Sequence, residues 1–206
     1  QLVQTGGQVD GGPTAQGHDD AVGLLQMDDV HDILDGQRLE VQLIGAGVVS
    51  RTGEMFVKLF PGCKAIIVAD LNTWEVAGKD AQKSLDDSGI ESFTPFVFES
   101  KDFYAEWQHI EALKKHMEGI DAISIAVGSG VINDTVKYVS HLLGRKYMCV
   151  GTAASMDGFT AYGSSITKDG NKQTFDCPAP LGFVLDSEIA AALFLVIPEI
   201  SVSHSG

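Results

Sequence analysis

Cationic residues are scarce in this chain of 206 residues: 14 lysines and arginines stand against 28 aspartates and glutamates, a formal net charge of -14. A mean field of that sign repels phosphodiester backbones and anionic bilayers, so no nucleic acid and no membrane partner is expected. A small anionic metabolite remains open, because backbone amides at a helix start hold phosphate even in an acidic protein. Cysteine is nearly absent. Cys63, Cys149 and Cys177 are too few and too scattered for a disulfide framework or a metal knuckle, which points to a reducing, cytoplasmic setting. Long apolar runs are missing as well. The longest, Ile189 to Ile197, falls well short of the roughly 20 residues of a membrane helix, and no charged-then-apolar leader opens the chain. The first residue is Gln1 rather than Met, so the natural start is expected upstream.

What is present is an ordinary globular composition. With 44% hydrophobic residues and 23 glycines, the length suits one α/β domain with attachments and many tight turns. Residues 1–38 form a Gly-, Gln- and Asp-rich tail and lead-in, with no fold expected over the first part. Leu39-Glu-Val41-Gln-Leu43 alternates like a half-buried strand and runs into Gly45-Ala-Gly47, after which a short helix from about Val49 to Phe60 is closed by Pro61-Gly62. Ala65 to Ala69 is a continuous apolar run of the kind covered on both faces. Thr73 to Asp87 reads as a helix, Phe93 to Phe98 as a strand, Phe103 to Met117 as a helix, and Ala122 to Val127 as a third core strand. Tyr147 to Val150 is a short strand, and Gly163 to Asp186 is a hairpin excursion around Asp169-Gly170 that ends in a last strand, Phe183 to Leu185. Strands alternating with single helices need crossover connections, so the fold class is α/β with a parallel, doubly wound sheet.

Three segments carry candidate chemistry. The run Gly128, Ser129, Gly130, Val131, Ile132 links a buried strand to a helix whose Ile132, Val136, Val139 and Leu143 share one face. Glycines there let a ligand approach the backbone while the free N–H groups of the first helical turn point at it, which fits a pyrophosphate. A plain strand-to-helix turn uses glycine for steric reasons alone, and the spacing is neither G-x-G-x-x-G nor that of a phosphate loop. Thr152-Ala153-Ala154-Ser155-Met-Asp157-Gly158 follows a strand at the end where open α/β sheets bind ligands. Asp157 reads as a turn former on local chemistry alone, with a functional carboxylate as the other reading. Asp70, at the end of a core strand, could accept hydrogen bonds from an adenosine ribose, or Asn72 or Thr73 could simply cap the next helix. His109 and His116, seven apart, lack the i, i+4 spacing of a helical zinc pair and read as solvated surface, and Cys149 reads as a small buried hydrophobe.

Taken in order, GSGVINDTVKYVS, Val150-Gly-Thr-Ala-Ala-Ser-Met-Asp-Gly158, Lys172-Gln-Thr-Phe-Asp-Cys-Pro-Ala-Pro180 and Val184-Leu-Asp186 resemble the glycerol-1-phosphate dehydrogenase family, which stands with the iron-containing alcohol dehydrogenases and dehydroquinate synthase. Ile67 to Gly78 is similar to that family's second nucleotide strand and its exit, so the resemblance runs from about Leu39 to Ala192. It implies a dehydroquinate synthase-like α/β half that binds NAD or NADP, and a helical C-terminal half that supplies most of a divalent metal site, zinc or nickel. By motif match Gly128 to Ile132 would hold the pyrophosphate, Thr152 to Ser155 would line the nicotinamide side, and Asp157 would contact a small phosphorylated substrate. The family reaction interconverts dihydroxyacetone phosphate and sn-glycerol 1-phosphate.

The family continues with an Ala-Pro and a Gly-x-Gly-Asp segment whose Asp binds metal. Here Leu193 stands in place of the proline and Val202 in place of that Asp, and the one nearby histidine, His204, lies in a Ser-rich tail. A catalytic site of about three protein ligands is not offered, so residues 39–192 are expected to be the cofactor domain and 193–206 an atypical tail in place of the helical domain. Truncation, alternative processing or a frame change near Ala192 would explain it. The chain is expected to lack the metal, to be poorly active, and to self-associate through apolar surface the helical half would cover. A non-catalytic NAD(P)-binding protein and a dehydroquinate synthase-like lyase are the competing readings.

Overall fold

The computed structural model describes residues 24–25, 41–99, 103–153 and 159–195. In chain order these give β1 (Leu24–Leu25), β2 (Val41–Gly45), a 3-10 turn (Val48–Arg51) leading into α1 (Thr52–Leu59), and β3 (Ala65–Asp70). There follow α2 (Leu71–Thr73), a π-helical turn (Trp74–Gly78), α3 (Lys79–Asp87), β4 (Phe96–Phe98), α4 (Trp107–Glu118) and β5 (Ile123–Gly128). The remainder is α5 (Gly130–Leu142), β6 (Tyr147–Gly151), the hairpin β7 (Ser164–Lys168) and β8 (Asn171–Phe175), β9 (Gly182–Asp186) and α6 (Ser187–Leu195).

The main sheet has the order β1-β2-β9-β6-β5-β3-β4, parallel throughout except where β1 runs antiparallel to β2. The unbroken apolar run of β3 has the predicted cause: Ala65 to Ala69 are fully buried because both faces are covered. Ile67 and Ala69 pack with Met55 and Phe56 of α1 and Ala81 and Leu85 of α3. Ile66 and Val68 pack on the opposite side with Ile110 and Leu113 of α4 and Ile132, Val136 and Val139 of α5. Each such buried aliphatic side chain contributes about 1.5–3 kcal/mol. Helices α1 and α3 come close because Gly53 has no side chain: its amide donates to Ser84 Oγ at 2.9 Å, and a Cβ there would lie 2.2 Å from the Ser84 carbonyl oxygen.

Several boundaries depart from the periodicity. The strand expected over Phe93 to Phe98 shortens to β4, since Pro95 has no N–H to give to the ladder. The helix expected from Phe103 starts at Trp107, because Phe103 instead stacks on Phe98 with ring centroids 4.2 Å apart. Strand β1 and helix α6 were not foreshadowed by any pattern, and α6 passes Ala192, where the domain was expected to end. The hairpin does form at Asp169-Gly170, where both residues take positive φ, 52° and 74°, as a two-residue turn matching strand twist requires.

Candidate functional site

The parallel strands place their carboxyl ends along one edge, and the chain reverses its direction of travel across the sheet between β3 and β5. From β3 it steps outward to β4; from β5 it steps the other way, through β6 to β9. Open α/β sheets bind ligands at such a reversal, outside the carboxyl ends of the strands. Asp70 ends β3 and Gly128 ends β5, each two residues beyond the paired Val68 and Ala126, and Gly128 pairs with Gly151 of β6. Asp70, the Gly128 turn and the described start of the third segment, Thr152 and Ala153, therefore lie at the ends of three adjacent strands.

At the centre, β5 turns into α5 through Gly128 and Ser129. A Cβ at Gly128 would approach Cβ and Cγ1 of Ile132 to 2.8 Å, so only glycine allows Ile132 to close into the core beneath the turn. The Gly128 carbonyl accepts from Thr152 N at 3.1 Å, tying the exit of β6 to the same turn. Ser129 is the N-cap in an extended conformation, and its side chain makes no capping bond. The first helical bond is Asn133 N to the Ser129 carbonyl at 3.0 Å, so the amides of Gly130, Val131 and Ile132 precede the ladder. These amides stand at the positive end of a helix of 13 residues, the kind of helix start that can cradle an anion. Within it, Ile132 is fully buried and can offer only its backbone.

The other described candidates lie along the same edge. Thr152 is buried, with its amide already bonded to Gly128, while Ala153 is partly exposed. Ala154, Ser155 and Asp157 lie outside the described residues. Asp70 is itself the N-cap, in place of Asn72 or Thr73: its Oδ1 accepts from Thr73 N at 2.8 Å, and Thr73 Oγ1 accepts from Asp70 N at 3.1 Å. One carboxylate oxygen is thereby committed to the helix.

Polar residues that the sequence reading passed over support this edge. Asp186, at the end of β9 and 2% exposed, accepts from Val49 N through Oδ2 and from Glu188 N through Oδ1, both at 3.1 Å. It joins the starts of the 3-10 turn and of α6. Asn133 and Lys137, one helical turn apart in α5, are each 1% exposed. Asn133 accepts from the Tyr147 hydroxyl at 3.0 Å and donates to the Phe159 carbonyl at 3.3 Å, while Lys137 Nζ donates to the carbonyls of Ala161 at 2.8 Å and Gly163 at 3.0 Å. Asp134 Oδ2 accepts from Ser165 N at 3.3 Å. Burial pushes the Lys137 ammonium below its usual range, with Asp134 opposing; burial also pushes the Asp134 carboxyl up, with Lys137 opposing. Desolvation dominates both because their charges stay 4.0 Å apart. A polar pair at i, i+4 next to the apolar face of α5 was the available signal.

Cys149 is buried as expected, and desolvation raises its thiol far above the ordinary range. His116 is exposed and stacks on Phe96, and the partly buried His109 packs against Phe98 and Phe103. Among the described residues no group of three His, Cys, Asp or Glu side chains could hold a metal ion, so these residues do not fit the metal that the resemblance implies. No helix among them is long and apolar enough to cross a membrane.

Residues 43–192 match the pattern of the iron-containing alcohol dehydrogenases. Similar curated proteins include a glycerol-1-phosphate dehydrogenase [NAD(P)+] of Methanococcoides burtonii, 33% identical over 80% of this chain and 46% of its own length. Another, of Bacillus licheniformis, is 29% identical over 82% of this chain and 41% of its own length. The chain thus spans less than half the length of these relatives. Similar solved structures include an iron-containing alcohol dehydrogenase of Thermotoga maritima, with a TM-score of 0.64 at 17% identity over 72% of this chain and 46% of that one. A glycerol dehydrogenase of Schizosaccharomyces pombe gives 0.61 at 23% identity, over 72% and 37%. Sheet and sequence pattern agree: the chain belongs to the iron-containing alcohol dehydrogenase family.

Proposed function

We propose that this chain is the cofactor-binding half of an NAD(P)-dependent oxidoreductase that interconverts dihydroxyacetone phosphate and sn-glycerol 1-phosphate. The observation that carries the reading is the uncapped start of α5, placed behind Gly128 where the strand order reverses between β3 and β5. The pyrophosphate would sit on the amides of Gly130, Val131 and Ile132, whose dipoles face its charge without a competing side chain. Asp70 keeps Oδ2 for a ribose hydroxyl while Oδ1 caps α2. Ala153, beside the pinned Thr152, would line the nicotinamide side. When bound, the nicotinamide would supply or accept the hydride. The substrate follows the names of the relatives, and the reaction is proposed for the protein in which this half works with the length those relatives carry beyond it.

Calorimetric titration of the chain with NADH, NADPH and ADP-ribose tests the reading. Saturable binding of ADP-ribose and of at least one dinucleotide is expected. No saturation below about 1 mM for any of them would overturn it. In the protein carrying both halves, NAD(P)-linked oxidation of sn-glycerol 1-phosphate in preference to sn-glycerol 3-phosphate is expected, and the reverse preference would overturn the substrate assignment.

A further inference from the structure

Helix α5 carries a second set of contacts one turn beyond the cradle. Asn133 bonds the Phe159 carbonyl, Lys137 bonds the carbonyls of Ala161 and Gly163, and Asp134 bonds the Ser165 amide. Every second residue from Phe159 to Ser165 is thus fastened to one helix, and this run leads into β7. At the other end, Thr152 N is fastened to the Gly128 carbonyl. Thr152 on one side and Phe159 to Ser165 on the other are therefore both tied to the strand-turn-helix unit that carries the cradle.

An ammonium buried this deeply is costly, and an apolar side chain of similar length would pack there without that cost. Stability alone does not account for the lysine. Its two bonds to the carbonyls of Ala161 and Gly163, with that of the Asn133 amide to Phe159, instead fix backbone positions that apolar packing would leave free to slide.

We propose that Asn133 and Lys137 are positioning residues for the nicotinamide half of the cofactor, setting the β6 exit at Thr152 and Ala153 against the Gly128 turn that holds the pyrophosphate. The proposal rests on the cofactor reading above. It predicts a split between ligands that share the pyrophosphate and differ in the nicotinamide. Lys137→Met and Asn133→Ala should bind ADP-ribose within about twofold of the unaltered chain while binding NADH at least about tenfold more weakly, and should lose the change in reduced-nicotinamide emission that accompanies binding.

Calorimetry with both ligands, NADH fluorescence and circular dichroism on the unaltered chain and both variants decide the matter. Selective loss of NADH in either folded variant supports the proposal. Equal losses for both ligands, or unchanged NADH affinity, overturn it while leaving cofactor binding intact. If Lys137→Met does not fold, Asn133→Ala decides alone, and if neither folds the ties serve the fold only and the proposal is overturned. An unaltered chain that binds neither ligand overturns the cofactor reading and this proposal with it.

Discussion

A methyl group added at Gly128 would sit 2.8 Å from the Ile132 side chain, well inside van der Waals contact, and it would sit at the turn from which the cradle amides project. Ile132 cannot retreat, because it is fully buried against the α4 side of the sheet. Gly128→Ala is therefore expected to lower stability by about 1–3 kcal/mol through overpacking. It should also weaken ADP-ribose binding, since relief of the clash moves the first turn of α5. Urea unfolding and calorimetry on the same variant check both, and a variant as stable and as tight-binding as the unaltered chain would show that the turn tolerates a side chain. Residue identity made the glycine and the nearby Asp70 legible as candidates. It could not show that Asp70 caps its own helix, because that depends on backbone angles at the strand exit.

Helix α5 combines tasks that its sequence separates only in part. Its apolar face was readable from spacing, whereas Asn133, Asp134 and Lys137 look like the solvated side of an amphipathic helix until the segment beyond Phe159 is folded over them. That covering has a consequence for pH. In the folded chain the Asp134 carboxyl titrates above its ordinary 3.8, because it is desolvated. Between that value and the raised one the folded state holds more protons than the unfolded state, so stability falls as pH rises through the window. Lys137, lowered from its ordinary 10.5, acts in the opposite sense at alkaline pH, where stability climbs toward that value. Asp134→Asn keeps an acceptor for the Ser165 amide and removes the titration. Its stability relative to the unaltered chain is expected to increase with pH from about 4 upward and then level off. Urea midpoints measured across that range give the test, and parallel curves would mean that the carboxylate is compensated in the fold.

Across the whole molecule, the two apolar clusters meet at the central strands. Strands β5 and β6 are paired on both sides and buried on both faces, β4 has a single neighbour in its sheet, and β8 exposes most of its residues. Opening β5 or β6 requires disrupting both clusters, so their amides are expected to exchange slowest and those of β8 fastest among the strands. Hydrogen exchange read by mass spectrometry tests this, and protection as high in β8 as in β5 would contradict it. The amino-acid sequence by itself determined the fold class, the order of the elements from β2 to β9, the hairpin turn at Asp169-Gly170 and the glycine turn into α5. Those properties follow from local periodicity and from the steric freedom of particular residues. Tertiary structure alone decided that β9 inserts between β2 and β6, that the strand order reverses between β3 and β5, and that Asp186, Asn133 and Lys137 are buried ties. The physical reason is that strand neighbours and buried polar partners are chosen by segments far apart in the chain, such as Val49 and Asp186, whose pairing leaves no trace in either local pattern.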